Sequence, residues 1–195
     1  MKTRALKHPF FVIIGPSGSG KTKVAEAVFP KEYKVISHTT RPQRVNEKQG
    51  IDYYFETQEH FDQLIRSKAL AEFDTYNGYN YGVGIDELIM KTTAHPAYDV
   101  LTIQGFQAIE QLFKPLVIPI FLEVSKENML ARLQERGEAP TIIEERSALY
   151  EQEARNKEII KHYPTHFIVD ANQPFSSVVK DVKEVVNNTL KNHFS

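Results

Sequence analysis

The residues Gly15, Pro16, Ser17, Gly18, Ser19, Gly20, Lys21 and Thr22 read GPSGSGKT and fit the spacing G-x-x-x-x-G-K-[ST]. That spacing has a chemical reason. Glycines let successive backbone N–H groups curl around a phosphate, and the lysine ammonium reaches the β and γ oxygens of a nucleoside triphosphate. The hydroxyl that follows, Thr22 here, can ligate Mg²⁺. The loop makes the chain a candidate binder of ATP with Mg²⁺, and leaves open whether the γ-phosphate passes to water, to a protein or to a small molecule.

A second candidate anion site is spelled in SHTTRPQR, residues 37–44. Arg41 and Arg44 flank Pro42, whose fixed φ stiffens the turn. Two guanidinium groups from one stiff turn suit a phosphate dianion, because each can donate a forked pair of hydrogen bonds. Taken alone, the same two residues also read as solvated loop arginines.

Both stretches need elements to hold them. Apolar runs of strand length alternate with helical periodicity, the pattern of a parallel sheet flanked by helices. The spacing predicts strands at 10–14, 33–37, 100–103, 116–124 and 167–169, and a helix at 21–29 that starts inside GPSGSGKT. A helix over 125–136 has Ser125 as its N-cap and Gly137 just past its end. Thr141 with Glu144 forms a capping box that opens a long polar helix towards His162. Val178, Val179, Val182, Val185, Val186 and Leu190 stripe a last helix. Residues 38–84 break this rhythm. They are rich in Tyr and Phe, carry the hairpin signal Asn77-Gly78, and suggest a small lobe inserted into the α/β core.

Bulk properties restrict the classes of function. A chain of 195 residues suits one domain with inserted lobes. Its 24 Lys+Arg against 25 Asp+Glu leave no basic field to draw nucleic acid or a membrane, so any anion site must be local. There is no cysteine, which removes disulfides, thiolate nucleophiles and Cys-based zinc sites. No stretch approaches the roughly 20 apolar residues of a membrane span, and we expect a soluble, cytoplasmic protein. Pro164 between His162 and His166 argues against a shared metal-binding helix face. Glu151, Glu153 and Glu158, with Arg155, Lys157 and Lys161 near them, read as a solvated helix face.

GPSGSGKT, SHTTRPQR, GIDYYF, AEF followed by NGYNYG, and LARLQERG stand in an order and spacing that resembles the guanylate kinase family, and the resemblance covers nearly the whole chain. It implies a P-loop NTPase fold, with a core at 8–36, 94–124 and 164–195, a monophosphate-binding lobe at 37–93 and a helical lid at 125–163. It implies phosphorylation of GMP to GDP by ATP, by a monomer or homodimer. Arg41, Arg44, Tyr53 and Tyr81 would hold the acceptor's phosphate, and Ser37 and Glu72 would meet the guanine base. A carboxylate accepts from the N1 and N2 donors of guanine, whereas adenine presents no such donor pair. Arg132 and Arg136, four apart on the helix begun by Ser125, match the family's lid pattern, and Arg146 matches a third lid arginine. With Lys21 they would place positive charge over the transferring group.

Two places depart from the family's pattern. Val83 stands where a hydroxyl would face guanine O6, and Thr102 and Gln104 stand where two aspartates would end a strand. On the predicted strand 100–103, Asp99 falls at the wrong end to replace them. YGVG followed by DVL also resembles, locally, the ribose 1,5-bisphosphate phosphokinases, and a non-catalytic guanylate-kinase-like module that binds proteins is a further alternative.

Overall fold

The computed structural model describes residues 5–76 and 78–193, so Asn77 of the expected hairpin turn lies outside the described residues. In chain order the elements are β1 (Phe10–Ile14), α1 (Lys21–Val28), β2 (His38–Thr39), β3 (Tyr54–Phe55), α2 (Gln58–Arg66), β4 (Leu70–Tyr76), β5 (Tyr79–Gly84) and α3 (Ile85–Lys91). There follow β6 (Ala97–Val100), α4 (Ile103–Phe113), β7 (Val117–Glu123), α5 (Lys126–Glu135), α6 (Pro140–Ile160), β8 (Phe167–Asp170) and α7 (Phe175–His193). The chain divides into two compact units.

One unit comprises residues 11–31, 100–103 and 118–195. Its strands run in the order β1, β7, β8, with β7 and β8 parallel from Ile120 opposite Phe167 to Glu123 opposite Asp170. Every residue of β1 is buried, as is most of β7, which is what a strand covered on both faces requires. The valine stripe of α7 turns Val178, Val182 and Val186 inward, and the helix packs on α1 and β8. Helix α5 begins as its sequence predicts: the Ser125 side chain accepts the Asn128 N–H. The predicted capping box of Thr141 and Glu144 is not what opens α6. Pro140 occupies the first turn behind Ala139, and a proline there has no N–H to satisfy, so Thr141 lies inside the helix.

The other unit comprises residues 1–10, 32–99 and 104–117 and holds a sheet in the order β3, β2, β5, β4. Strands β4 and β5 form an antiparallel pair with Glu72 opposite Val83 and Asp74 opposite Tyr81. Helix α2, which the sequence reading did not anticipate, is capped by Thr57 and buries Phe61 completely. Gly82 lets the strand close on this helix, since a Cβ there would stand 2.9 Å from Leu70 Cδ1 and 3.2 Å from Phe61 Cζ. The predicted strand at 33–37 is reduced to a single bridge between Lys34 and Tyr98, and the strand expected at 100–103 lies three residues earlier, as β6. A charged residue, Asp99, sits inside that strand and hides its apolar pattern. Among the described residues no helix is long and apolar enough to cross a membrane.

Removal of the α5 cap by Ser125→Ala should cost about 1 kcal/mol, lowering the thermal midpoint by about 2–4 °C for a chain of this size. An unchanged midpoint in calorimetry would mean that the cap carries no stability.

Candidate active site

The phosphate loop hangs between a buried strand and a helix start. Gly15 passes so close to β7 that a Cβ would lie 2.6 Å from the Leu122 carbonyl oxygen, and Gly20, at φ +93°, turns the chain into α1. The Lys21 ammonium donates to the carbonyls of Gly15 (2.7 Å) and Pro16 (2.9 Å), curled back along its own loop. Ser17, Gly18, Gly20, Lys21 and the exposed Thr22 line a cavity of about 520 Å³ with Lys23, Arg136 and Arg146. Desolvation brings the Lys21 pKa down to about 8; Glu153 opposes that fall, and Arg146 and Arg136 add to it.

Glu153 is therefore not part of a solvated face. Its Oε2 accepts the Ser17 N–H at 2.8 Å, placing a carboxylate on the phosphate loop. No pattern in its own segment distinguishes it from Glu151 or Glu158, because what matters is a contact across 136 residues. The Ser19 hydroxyl of the same loop is buried with no hydrogen-bond partner among the described residues.

The three arginines expected together are not placed alike. Arg136 and Arg146 line the cavity, and Arg146 also reaches Glu138 Oε1 at 3.3 Å. Arg132 is absent from that lining. Its guanidinium donates to the carbonyls of Ala171 (2.5 Å) and Ser19 (3.4 Å), and it borders a neighbouring cavity with Arg136, Phe175 and Val178. Arg136 is the cap residue of α5, still helical in conformation, and it shares that neighbouring cavity with Arg132.

A second polar cluster lies within the other unit. Arg41 forks onto Glu47 through Nη2–Oε1 at 2.7 Å and Nη1–Oε2 at 3.0 Å, and the Arg44 N–H donates to Glu47 Oε2 at 2.9 Å. The Arg41 guanidinium stands 5.4 Å over the ring of Tyr53, which meets Tyr81 edge-on at 6.0 Å. The hydrogen bond to Glu47 raises the Arg41 pKa and lowers that of Glu47. Burial, with Asp99 and Tyr81 adding to it, pushes the Tyr53 phenol up, so it stays a hydrogen-bond donor. The Arg44 side chain is exposed. Glu47 escaped the sequence reading, although its place three residues after Arg44 in the same turn was a usable signal.

Beside this cluster sit two carboxylates. Asp99 is 5% exposed and accepts the Ser37 hydroxyl proton at 3.2 Å. Burial lifts the Glu72 pKa to about 7, with Asp99 and then Asp74 adding to the rise and the Val83 amide opposing it. The expectation that Asp99 stands at the wrong end of its strand is corrected: β6 ends at Val100, which puts Asp99 one residue from the carboxyl end, where ligand sites of α/β sheets form. Thr102 and Gln104 lie beyond the strand and are exposed. The Val83 side chain is fully buried and presents no wall to a ligand; the residue's amide is what acts on Glu72.

A sequence profile described as guanylate kinase matches residues 7–189. The chain belongs to the guanylate kinase family. It is 33% identical over 186 residues to a guanylate kinase of a Polaromonas species, covering 91% of this chain and 85% of that one. A Coxiella burnetii guanylate kinase is 32% identical over 188 residues, 93% of this chain and 87% of the relative. Among solved structures, guanylate kinase from Anaplasma phagocytophilum superposes with a TM-score of 0.61 at 21% identity, covering 95% of this chain and 88% of that one, a likeness of fold. A gluconokinase from Sinorhizobium meliloti shares the fold more loosely, with a TM-score of 0.54 at 16% identity and 97% of each chain covered.

In this member of the family, an anion entering the loop should favour protonated Lys21. Relative to Lys21→Met, whose profile carries only the ionisation of pyrophosphate itself, pyrophosphate affinity should fall above pH 8, by up to about tenfold per pH unit, with an extra proton taken up on binding. Calorimetry in buffers of different ionisation enthalpy reads both, and an identical profile in wild type and Lys21→Met would remove Lys21 from the anion site.

Proposed function

We propose that this chain transfers the γ-phosphoryl group of ATP to GMP, giving ADP and GDP. The observation that carries the reading is the coexistence in one chain of a phosphate loop with its own cations and a second, differently built anion cluster that adjoins buried carboxylates. A hydrolase needs no second anion site. A binding module needs no lysine and paired arginines around one cavity.

ATP phosphates are taken by the N–H groups of Gly15 to Thr22, all but Pro16 having one to give, with Lys21 on the β and γ oxygens. Arg136 and Arg146 supply positive charge to the phosphoryl group in transfer. Arg132 ties the last turn of its helix to the loop and to the segment after β8, which is a positioning role. The acceptor's phosphate replaces Glu47 on Arg41, with Tyr53, Tyr81 and Arg44 completing the oxygen contacts. It is anionic at neutral pH, with a second pKa of about 6, so no general base is required. Ionised Glu72 accepts from guanine N1–H and N2–H. Ser37, its proton engaged by Asp99, offers lone pairs rather than a donor for O6.

The donor set suits Mg²⁺. Thr22 brings one exposed hydroxyl to the cavity, and among the described residues no group of three His, Asp or Glu forms a site alone. Mg²⁺ keeps much of its coordination on water and substrate phosphates. When bound it neutralises phosphate charge, and Thr22 is the residue here that would hold it.

Coupled ADP release across GMP, dGMP, AMP and ribose 1,5-bisphosphate should show turnover with the guanine nucleotides. Turnover confined to the sugar phosphate would overturn the proposal. The raised Glu72 pKa adds a second test. Guanine binds the ionised carboxylate, so the KM for GMP should fall as pH rises through about 7. From pH 6.5 to 8 the ionised fraction, and hence the effect, changes about fourfold. Glu72→Gln should flatten this profile; a wild-type KM that ignores pH would remove Glu72 from the base site.

A further inference from the structure

The first amide past Pro16 in the phosphate loop is already occupied by a side chain of the chain itself. Ser17 N–H donates to Glu153 at 2.8 Å, and Glu153 acts on Lys21 in the sense opposite to Arg136 and Arg146. An amide has one proton to give. A phosphate oxygen that takes it has the same polarity and sign of charge as the carboxylate already there, so the two exclude one another. Glu153 lies about two helical turns after Arg146 on α6, which sets both on one face of that helix, towards the loop. Its neighbour Glu151 is exposed.

We propose that Glu153 is a positioning residue that stands in for a nucleotide phosphate: its carboxylate holds the Ser17 amide beside Lys21, yields to ATP, and returns as ADP leaves. This rests on the reading of Gly15 to Thr22 as the nucleotide site. The stand-in keeps the loop shaped while it is empty. It also weakens retention of any phosphate, because each bound anion must displace it, and such competition appears chiefly in the dissociation rate.

The test compares wild type with Glu153→Gln, Glu153→Asp and, as an exposed control on the same helix, Glu151→Gln. Pyrophosphate and ADP binding are measured by calorimetry at pH 6.5, where Lys21 is protonated, and each melting temperature is recorded. Glutamine can still accept the amide proton but brings no charge. Glu153→Gln should therefore bind both probes about tenfold tighter, the scale of one charge-assisted hydrogen bond. ADP should dissociate more slowly from it, while the KM for GMP and the Glu151→Gln control stay put. Glu153→Asp, one methylene shorter, should fall between, and it answers the question alone if the glutamine variant does not fold. Unchanged or weaker binding in a folded Glu153 variant overturns the proposal. Failure of wild type and variants alike to bind either probe overturns the nucleotide-site reading along with it.

Discussion

A site that waits for phosphate must gather positive charge before any phosphate is there to neutralise it. Like charges held close repel, and withdrawing them from water makes that worse. Lys21 records the strain most directly, since desolvation, Arg146 and Arg136 together bring an ammonium that normally titrates above 10 down to about 8. Arg41 records the opposite case, because a forked carboxylate, Glu47, keeps it more firmly protonated. In each unit an internal carboxylate meets the donors that, on the proposed reading, a phosphate would meet, Glu153 on the Ser17 amide and Glu47 on the Arg41 fork. On that reading, a dianion with more oxygens than a carboxylate can displace either occupant.

The backbone carries the other half of the preorganisation. The loop is clamped against β7 at Gly15, where no side chain fits beside the Leu122 carbonyl, and it feeds α1 directly, whose free N–H groups add to its positive end. Arg132 reaches two carbonyls, one in the loop and one after β8, so the last turn of α5, the loop and the end of the sheet are held to one another. These ties need rigid partners, which the buried β1 and β7 supply. A strand exposed on one face would leave the loop free to shift, and positioning is most of what catalyses phosphoryl transfer.

The sequence was informative where local rules decide the outcome. GPSGSGKT, the buried run at β1, the Ser125 cap and the α7 valine stripe each follow from spacing within a few residues, and each stands in the structure close to where it was read. It misled where a tertiary contact outweighs the local pattern. Asp99 interrupts an apolar run, so the strand was placed too late and the residue at its wrong end. Glu153 looks like any acid on a polar helix until the fold brings Ser17 to it. Arg132 and Arg136 share a helical period and a neighbouring cavity, but only Arg136 also borders the loop cavity, which spacing alone does not tell.

Specificity for the base, on the proposed reading, is a question of polarity rather than of any single hydroxyl. The side chains of Glu72 and Asp99, with a Ser37 oxygen whose proton is engaged, present acceptors. Guanine offers N1–H and N2–H to such a surface, whereas adenine offers the unprotonated N1, and two acceptors facing each other leave both unsatisfied. Val83 in place of a hydroxyl subtracts little from this, because its side chain is packed away and its amide already serves Glu72. The discrimination is strongest when Glu72 is ionised. A protonated Glu72 becomes a donor that adenine N1 could accept, so the burial and the neighbouring Asp99 that hold its pKa near 7 also set how sharply this pocket separates the two purines.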